Sequence, residues 1–267
     1  MRSIFGSLIL LCVISACSSD SKETKETIPF QIVEEVELST SNLAVPDNRF
    51  SSQYHVIMFG NSHTAGLDSL VQTLISVGNP NKQVNVINIG GGFLDNNTSQ
   101  QRRVEQLESQ PWTHIVLQGQ KYSQSGAIEY PTASTKTWIT KAKSLDITPI
   151  LFPEHPQVGN TEEGKRIHKI HTEIASKQRA CVAPVGLTWD DALLIEPKLS
   201  LHHADGNHAS LTGRLLTAFI FYEVITGETA DLLPFIDSIE VDQPTQQLLK
   251  QIASASIQSN TPCEYDK

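Results

Sequence analysis

The sequence predicts an α/β protein, a parallel sheet covered by helices on both faces. Three observations carry the prediction. Short apolar, β-branched runs that end in glycine or a polar residue alternate with longer stretches of helical spacing. The alternation continues through most of the chain, with no internal repeat and no second periodic domain, as a series of βαβ units requires. The length of 267 residues suits one α/β domain with an appendage, or at most two small domains.

The elements follow in order. His55 to Gly60 (HVIMFG) reads as a buried strand ending in glycine. In Ala65 to Val77, the apolar residues Leu67, Leu70, Val71, Leu74 and Ile75 fall at helical spacing. Gln83 to Ile89 (QVNVINI) alternates and is β-branched, a second strand, and runs into Gly90-Gly91-Gly92. Thr98 to Ser109 reads as a polar amphipathic helix, Thr113 to Leu117 as a third strand, and 119–131 as an irregular loop rich in Gly, Ser and Tyr. Thr132 to Leu145 is a helix, Ile147 to Phe152 a fourth strand, Glu162 to Lys177 a helix, and Cys181 to Val185 a short fifth strand. Ser210 to Thr226, read as amphipathic, and Thr245 to Ser256 are the last helices. Parallel sheets bind ligands beyond the carboxyl ends of their strands, so the chemistry is sought there.

Composition narrows the function. Lys plus Arg is 20 against 29 for Asp plus Glu, a net charge of −9. A phosphate-tracking surface needs the opposite balance, which argues against nucleic acid as a partner. The mean hydropathy of −0.19 and a single long apolar run, at the N-terminus, exclude a polytopic membrane protein.

That run reads as an address. Arg2 is a minimal positive region and Ile4 to Ile14 an apolar stretch too short to span a bilayer. Ile14-Ser15-Ala16-Cys17 then resembles a bacterial lipobox, the signal for lipid attachment to Cys17 and cleavage before it. The alternative is an ordinary secretory signal cut nearby. Ser18 and Ser19 resemble the sorting positions of Gram-negative lipoproteins bound for the outer membrane. Residues 18–30 are polar and read as a tether, and 31–53 as a segment draped over the domain. The expected organisation is therefore 1–16 signal peptide, 17–53 lipidated cysteine and tether, and 54–267 folded domain. Localisation is the cell envelope, with the membrane as a partner through the lipid. Once Cys12 is removed and Cys17 lipidated, Cys181 and Cys263 remain, either as a disulfide pinning the C-terminal tail or as two thiols.

Four segments sit where ligands are expected. After the first strand comes Gly60-Asn61-Ser62-His63-Thr64, which puts Ser62 at a strand-to-helix turn, as a nucleophile or as a mere helix cap. It is neither Gly-x-Ser-x-Gly nor a phosphate loop. After the second strand come three glycines, a tight turn or a close approach to ligand. After the third comes Gln118-Gly119-Gln120, whose amides can donate to an oxyanion or simply open a polar loop. Near the C-terminus stands His202-His203-Ala204-Asp205-Gly206-Asn207-His208. If the segment turns into its helix there, Asp205 and His208 touch, and the carboxylate fixes the imidazole as a base. Metal binding by this cluster and surface histidines are the rival readings. The loop Lys121 to Tyr130 and the turn Pro153-Glu154-His155 also follow strands, so Tyr122, Tyr130 and His155 either border the same pocket or belong to ordinary loop packing.

Taken together, Gly-Asn-Ser-x-Thr, the glycines, the polar amide and Asp-x-x-His resemble, in this order, the SGNH/GDSL hydrolase superfamily over about Val56 to Thr226. The resemblance implies a flavodoxin-like three-layer α/β/α sandwich with about five parallel strands, and Ser-dependent ester hydrolysis with no metal or organic cofactor. It implies Ser62 as nucleophile, His208 as base, Asp205 as its orienting partner, and an oxyanion hole of the Ser62 N–H, Gly91 or Gly92, and Gln118 or Gln120. Asn61 stands where the commonest form has Asp, the glycines are one position off the usual spacing, and the third block resembles the Gln-Gly-Glu form of carbohydrate acetylesterases. Removal of acetyl groups from a glycan is thus the expected reaction. The alternatives are a non-catalytic glycan-binding lipoprotein, or an acyltransferase using the same three residues.

Overall fold

The computed structural model describes residues 42–90, 92, 94, 101–119, 121–123 and 126–265. The signal, Cys12, Cys17, the tether up to residue 41, Gly91 and Gln120 lie outside the described residues. Five strands form one sheet: β1 (Gln53–Phe59), β2 (Gln83–Asn88), β3 (His114–Gln118), β4 (Thr148–Phe152) and β5 (Cys181–Val182). Their order is β2-β1-β3-β4-β5 and every pairing is parallel. Seven helices accompany them among the described residues: α1 (Leu67–Gly78), α2 (Gln101–Glu108), α3 (Ala133–Ser144), α4 (Glu163–Lys177), α5 (Val185–Ile195), α6 (Leu211–Thr226) and α7 (Gln243–Ser259).

The three layers follow from alternation along the strands. Tyr54, Val56 and Met58 of β1, Val116 of β3, and Ile150 and Phe152 of β4 pack on one face with α1, α5, α6 and α7. Ile57 and Phe59, Ile115 and Leu117, and Leu151 pack on the other with α2, α3 and α4. Both faces of the central strands β1, β3 and β4 are buried, so these read as largely apolar runs, whereas the edge strand β2 alternates. This is the three-layer sandwich expected.

The differences are local. Within 42–53 the chain packs on the domain, with Val45 buried. Asn48 Nδ2 donates to the Thr113 carbonyl at 3.0 Å and to Thr148 Oγ1 at 3.1 Å, which fastens this segment to the feet of β3 and β4. β5 is only two residues long, and Val185 opens α5 instead of ending the strand. The sequence of α5, VGLTWDDALLI, is apolar on most sides and hides its helical period. The expectation of an amphipathic α6 is corrected: its residues from Leu215 to Thr226 are all buried, because α6 lies between α1 and α7, and a helix packed on all sides needs no polar face. Cys181 and Cys263 are joined, with S–S 2.06 Å, and the Val182 N–H donates to the Pro262 carbonyl at 2.7 Å, so the tail is pinned beside β5.

One glycine is demanded by packing. A Cβ at Gly213, in the first turn of α6, would stand 2.2 Å from the Leu201 carbonyl oxygen and 2.5 Å from the Trp189 ring. Gly213→Ala is expected to lower stability by about 3 kcal/mol, or roughly 6–12 °C in Tm. Thermal melting checks this, and an unchanged Tm would show that the Leu201–Ser210 loop gives way freely.

Buried imidazoles set the acid limit. Burial pushes His114 and His155 down to about 3 and His171 to about 4. Unfolded, each titrates near ~6.5, so below that pH the unfolded chain takes up protons that the folded one does not. This contribution to stability is complete above pH ~6.5 and is lost as pH falls toward the folded values. Tm should decline steadily from neutral pH to about pH 4.5, with a shallower slope in His114→Gln. Equal slopes for the two proteins would remove His114 from the account.

Candidate active site

The sheet order places β2 and β3 on opposite sides of β1, so a crevice opens at the carboxyl end of β1. Register aligns Phe59 with Leu117 and Gln118 with Phe152, which brings 60–62, 118, 119, 121 and 153–155 to one rim. Gly60 is needed there, because a Cβ would lie 2.7 Å from Gln118 Oε1 and 2.5 Å from Thr64 Cγ2.

Ser62 opens a single 3-10 turn, Ser62–Thr64, and α1 starts only after Gly66. Ser62 is therefore neither the cap nor the first turn of α1. The cap of the short turn is Asn61, whose Oδ1 accepts from the His63 N–H at 2.9 Å. Thr64 Oγ1 donates to the Asn61 carbonyl at 2.8 Å, and Asn88 Nδ2 to the Thr64 carbonyl at 2.8 Å, tying the turn to the end of β2. The Ser62 side chain is left exposed to solvent with its N–H unengaged among the described residues.

Asp205 and His208 meet, but not through helical pitch. Residues 201–210 form a tight loop closed by the bridge His202↔Ala209 and by the His203 N–H on the His208 carbonyl at 2.7 Å. Asp205 Oδ1 accepts the N–H groups of Asn207 and His208, each at 2.9 Å, an Asx turn that places the carboxylate under its own imidazole. Asp205 Oδ2 then lies 2.7 Å from His208 Nδ1, and His208 Nε2 lies 2.8 Å from Ser62 Oγ. The two backbone N–H groups and the ring hold the Asp205 carboxyl well below the usual carboxylate range. An ionised Asp205 accepts the Nδ1 proton, leaving Nε2 free to accept from the serine hydroxyl.

The loop is held from behind by histidines that do no work at Ser62. His155 stacks on Trp189 at 4.0 Å and donates from Nε2 to the Asn207 carbonyl at 3.0 Å, so it lies buried rather than toward substrate. His202 donates from Nε2 to the Pro156 carbonyl at 2.8 Å. Of the residues expected near substrate, Tyr122 and Tyr130 do line a cavity of about 530 Å³, together with His63, Lys121, Glu154 and Asn207.

The expectation for Gln118 is corrected. Its side chain is fully buried, Oε1 accepts the Asn61 N–H at 2.8 Å, and Nε2 donates to Glu154 at 2.6 Å. No accessible face remains for a substrate oxygen, and the residue braces the nucleophile turn instead. Gly92, at φ 109, directs its N–H to the Gly60 carbonyl at 3.4 Å, so its hydrogen is also turned toward protein. The Ser62 N–H is the donor in place among the described residues.

Sequence reasoning missed the network behind Gln118. Lys121 Nζ lies 2.6 Å from Glu154 and 3.2 Å from Glu163, and Tyr122 donates to Glu163 at 3.1 Å. Burial works against the Lys121 ammonium, but the two carboxylates overcome it and raise its pKa. His63 lies between Glu154 at 3.8 Å and the His208 ring, stacked at 5.2 Å, and burial pushes it down. The partners are 33 or more positions apart, so no local spacing could reveal them.

No family model matches the sequence, and no curated protein matches it. The fold does have counterparts among solved structures. A protein of the DUF4886 family from Bacteroides uniformis superposes with a TM-score of 0.60 at 13% identity, over 80% of this chain and 98% of that one. A candidate SGNH hydrolase from Slackia heliotrinireducens superposes with a TM-score of 0.51 at 20% identity, over 64% of this chain and 98% of that one. At such identities the likeness is one of fold, and it extends to the parallel α/β/α sandwich that the sequence resemblance implies.

Proposed function

We propose that this chain is a serine-dependent hydrolase of carboxylic esters. The observation that carries the reading is the unbroken series Asp205 Oδ2, His208, Ser62 Oγ at 2.7 and 2.8 Å, on an exposed turn at the mouth of a cavity. Ser62 Oγ attacks the ester carbonyl as His208 Nε2 takes its proton. Asp205 keeps the ring in the accepting tautomer and stabilises the imidazolium. The oxyanion is received by the Ser62 N–H. His208 protonates the leaving alcohol, and water repeats the cycle to release the acid. No step needs a metal or an organic cofactor.

For the substrate, the reading is a short acyl ester, acetyl above all, on a carbohydrate. Tyr122, Tyr130, Gln157 and Asn207 line the cavity with aromatic faces and hydrogen-bonding groups suited to hydroxylated rings. The lipobox resemblance places the enzyme in the cell envelope, on the outer membrane through Cys17. No helix among the described residues is long and apolar enough to cross a membrane.

The test is release of 4-nitrophenol from its acetate by residues 18–267, beside Ser62→Ala and with EDTA. Turnover that ignores EDTA and vanishes in Ser62→Ala supports the reading. Turnover lost to EDTA favours metal binding by the cluster His202, His203, Asp205 and His208 instead. Product formed only when an acceptor alcohol is present makes the chain an acyltransferase, and binding of acetylated glycan without turnover makes it a lectin-like protein.

A further inference from the structure

A second recess, of about 330 Å³, opens on the nucleophile and is lined by Ser62, Ala65, His203, His208 and Arg214; His63 and Asp205 line it and the larger cavity alike. The two cavities differ in charge. In the larger one the ammonium of Lys121 is used up by Glu154 and Glu163. In the smaller one the guanidinium of Arg214 has no such counterpart. Arg49, Lys121 and Lys141 each face a carboxylate, whereas Arg214 forms no ion pair among the described residues, and its Nε is buried without a hydrogen-bond partner.

The position of Arg214 is built, not incidental. It stands in the first turn of α6, and its side chain reaches across to the start of α1. A Cβ at Gly66 would lie 2.8 Å from Arg214 Nη1, and Gly66 is at φ 74, so glycine both permits the backbone and clears the space for the guanidinium. The buried Nε–H of Arg214 has no acceptor within the protein, and leaving a buried donor unpaired costs free energy. A planar fork of N–H donors, half-buried beside the reacting serine, matches a carboxylate in two parallel hydrogen bonds. Asp205 does not supply it, since its oxygens are taken by His208 and by two backbone N–H groups.

We propose, resting on the ester-hydrolase reading, that Arg214 seats a carboxylate of the substrate in this recess. The preferred esters are then those of acidic molecules, with the acidic group next to the scissile bond on either the alcohol or the acyl side.

Two matched pairs distinguish the sides. 4-Acetoxybenzoate against 4-acetoxybenzamide places the charge on the alcohol. The 4-nitrophenyl half-ester of adipic acid against 4-nitrophenyl hexanoate places it on the acyl group. In the wild type one anionic member exceeds its neutral partner in kcat/KM, and Arg214→Gln lowers that ratio roughly 10–100-fold, the scale of a charge-assisted pair. Arg214→Lys, which keeps the charge without the fork, restores part of it. Far-ultraviolet circular dichroism of both variants checks that they fold. Ratios unchanged by both substitutions in both pairs overturn the proposal. If the wild type hydrolyses none of the four, the ester-hydrolase reading fails by itself. Titration with benzoate, followed by the imidazole NMR signals, then decides Arg214 alone: shifts present in the wild type and lost in Arg214→Gln uphold the seat, and their absence overturns it.

Discussion

Asp205→Asn is expected to lower kcat on a short acyl ester by roughly 10⁴-fold with little change in KM. The loss comes from a tautomer, not from a lost contact. Asp205 Oδ1 accepts two backbone N–H groups, and Oδ2 accepts from His208 Nδ1. An asparagine satisfies the two N–H groups with its carbonyl oxygen and so turns its NH₂ toward Nδ1. His208 must then accept at Nδ1 and carry its proton on Nε2, the atom 2.8 Å from Ser62 Oγ. That ring cannot take the serine proton. Because the loop's backbone bonds survive, Tm should change little, which separates this result from unfolding. Steady-state kinetics beside Ser62→Ala as the floor make the check. An Asp205→Asn enzyme with more than a tenth of the wild-type kcat would mean that Asp205 does not set the proton on His208.

Glu154→Ala is expected to act on stability and turnover together. The carboxylate is buried and receives Gln118 Nε2 at 2.6 Å and Lys121 Nζ at 2.6 Å. Its removal leaves a buried amide without an acceptor and Lys121 with Glu163 alone, the situation in which breaking a buried pair costs about 3–5 kcal/mol. Turnover falls because Gln118, once unanchored, no longer holds the Asn61 N–H, and the turn carrying Ser62 loosens. Glu154→Gln separates the two effects. It keeps an oxygen for Gln118 and loses the charge, so kcat should recover more than Tm does. Denaturant melts and kcat for both variants decide it. If Glu154→Gln and Glu154→Ala lose kcat equally, the brace through Gln118 is wrong and the charge itself matters.

Much of this was legible along the chain. Apolar runs through β1, β3 and β4 and the alternating β-branched run of β2, spaced by helices, are enough to predict a parallel sheet, since a central strand covered on both faces reads as a continuous apolar run. The order of Gly-Asn-Ser-x-Thr, glycines, a polar amide and Asp-x-x-His singled out Ser62, Asp205 and His208 through its resemblance to the SGNH/GDSL hydrolases. What was misread depends on neighbours. Ser210–Thr226 reads as a one-sided helix until α1 and α7 close over it. Gln118 reads as a free amide until Asn61 and Glu154 occupy it.

The sequence by itself determined the fold class, the approximate ends of the first four strands and three residues with the chemistry of a nucleophile, a base and its orienter. Periodicity and short motifs are local properties, and those features are local. Only the tertiary structure decided what each polar group has left to offer: that Gln118 is a brace, that His155 is a prop behind the loop, that Glu154 joins two strand ends, and that Arg214 stands uncompensated beside Ser62. Hydrogen-bond capacity is finite, and partners tens of residues away consume it. Whether a side chain faces substrate or scaffold is therefore settled by packing, which no stretch of sequence carries alone.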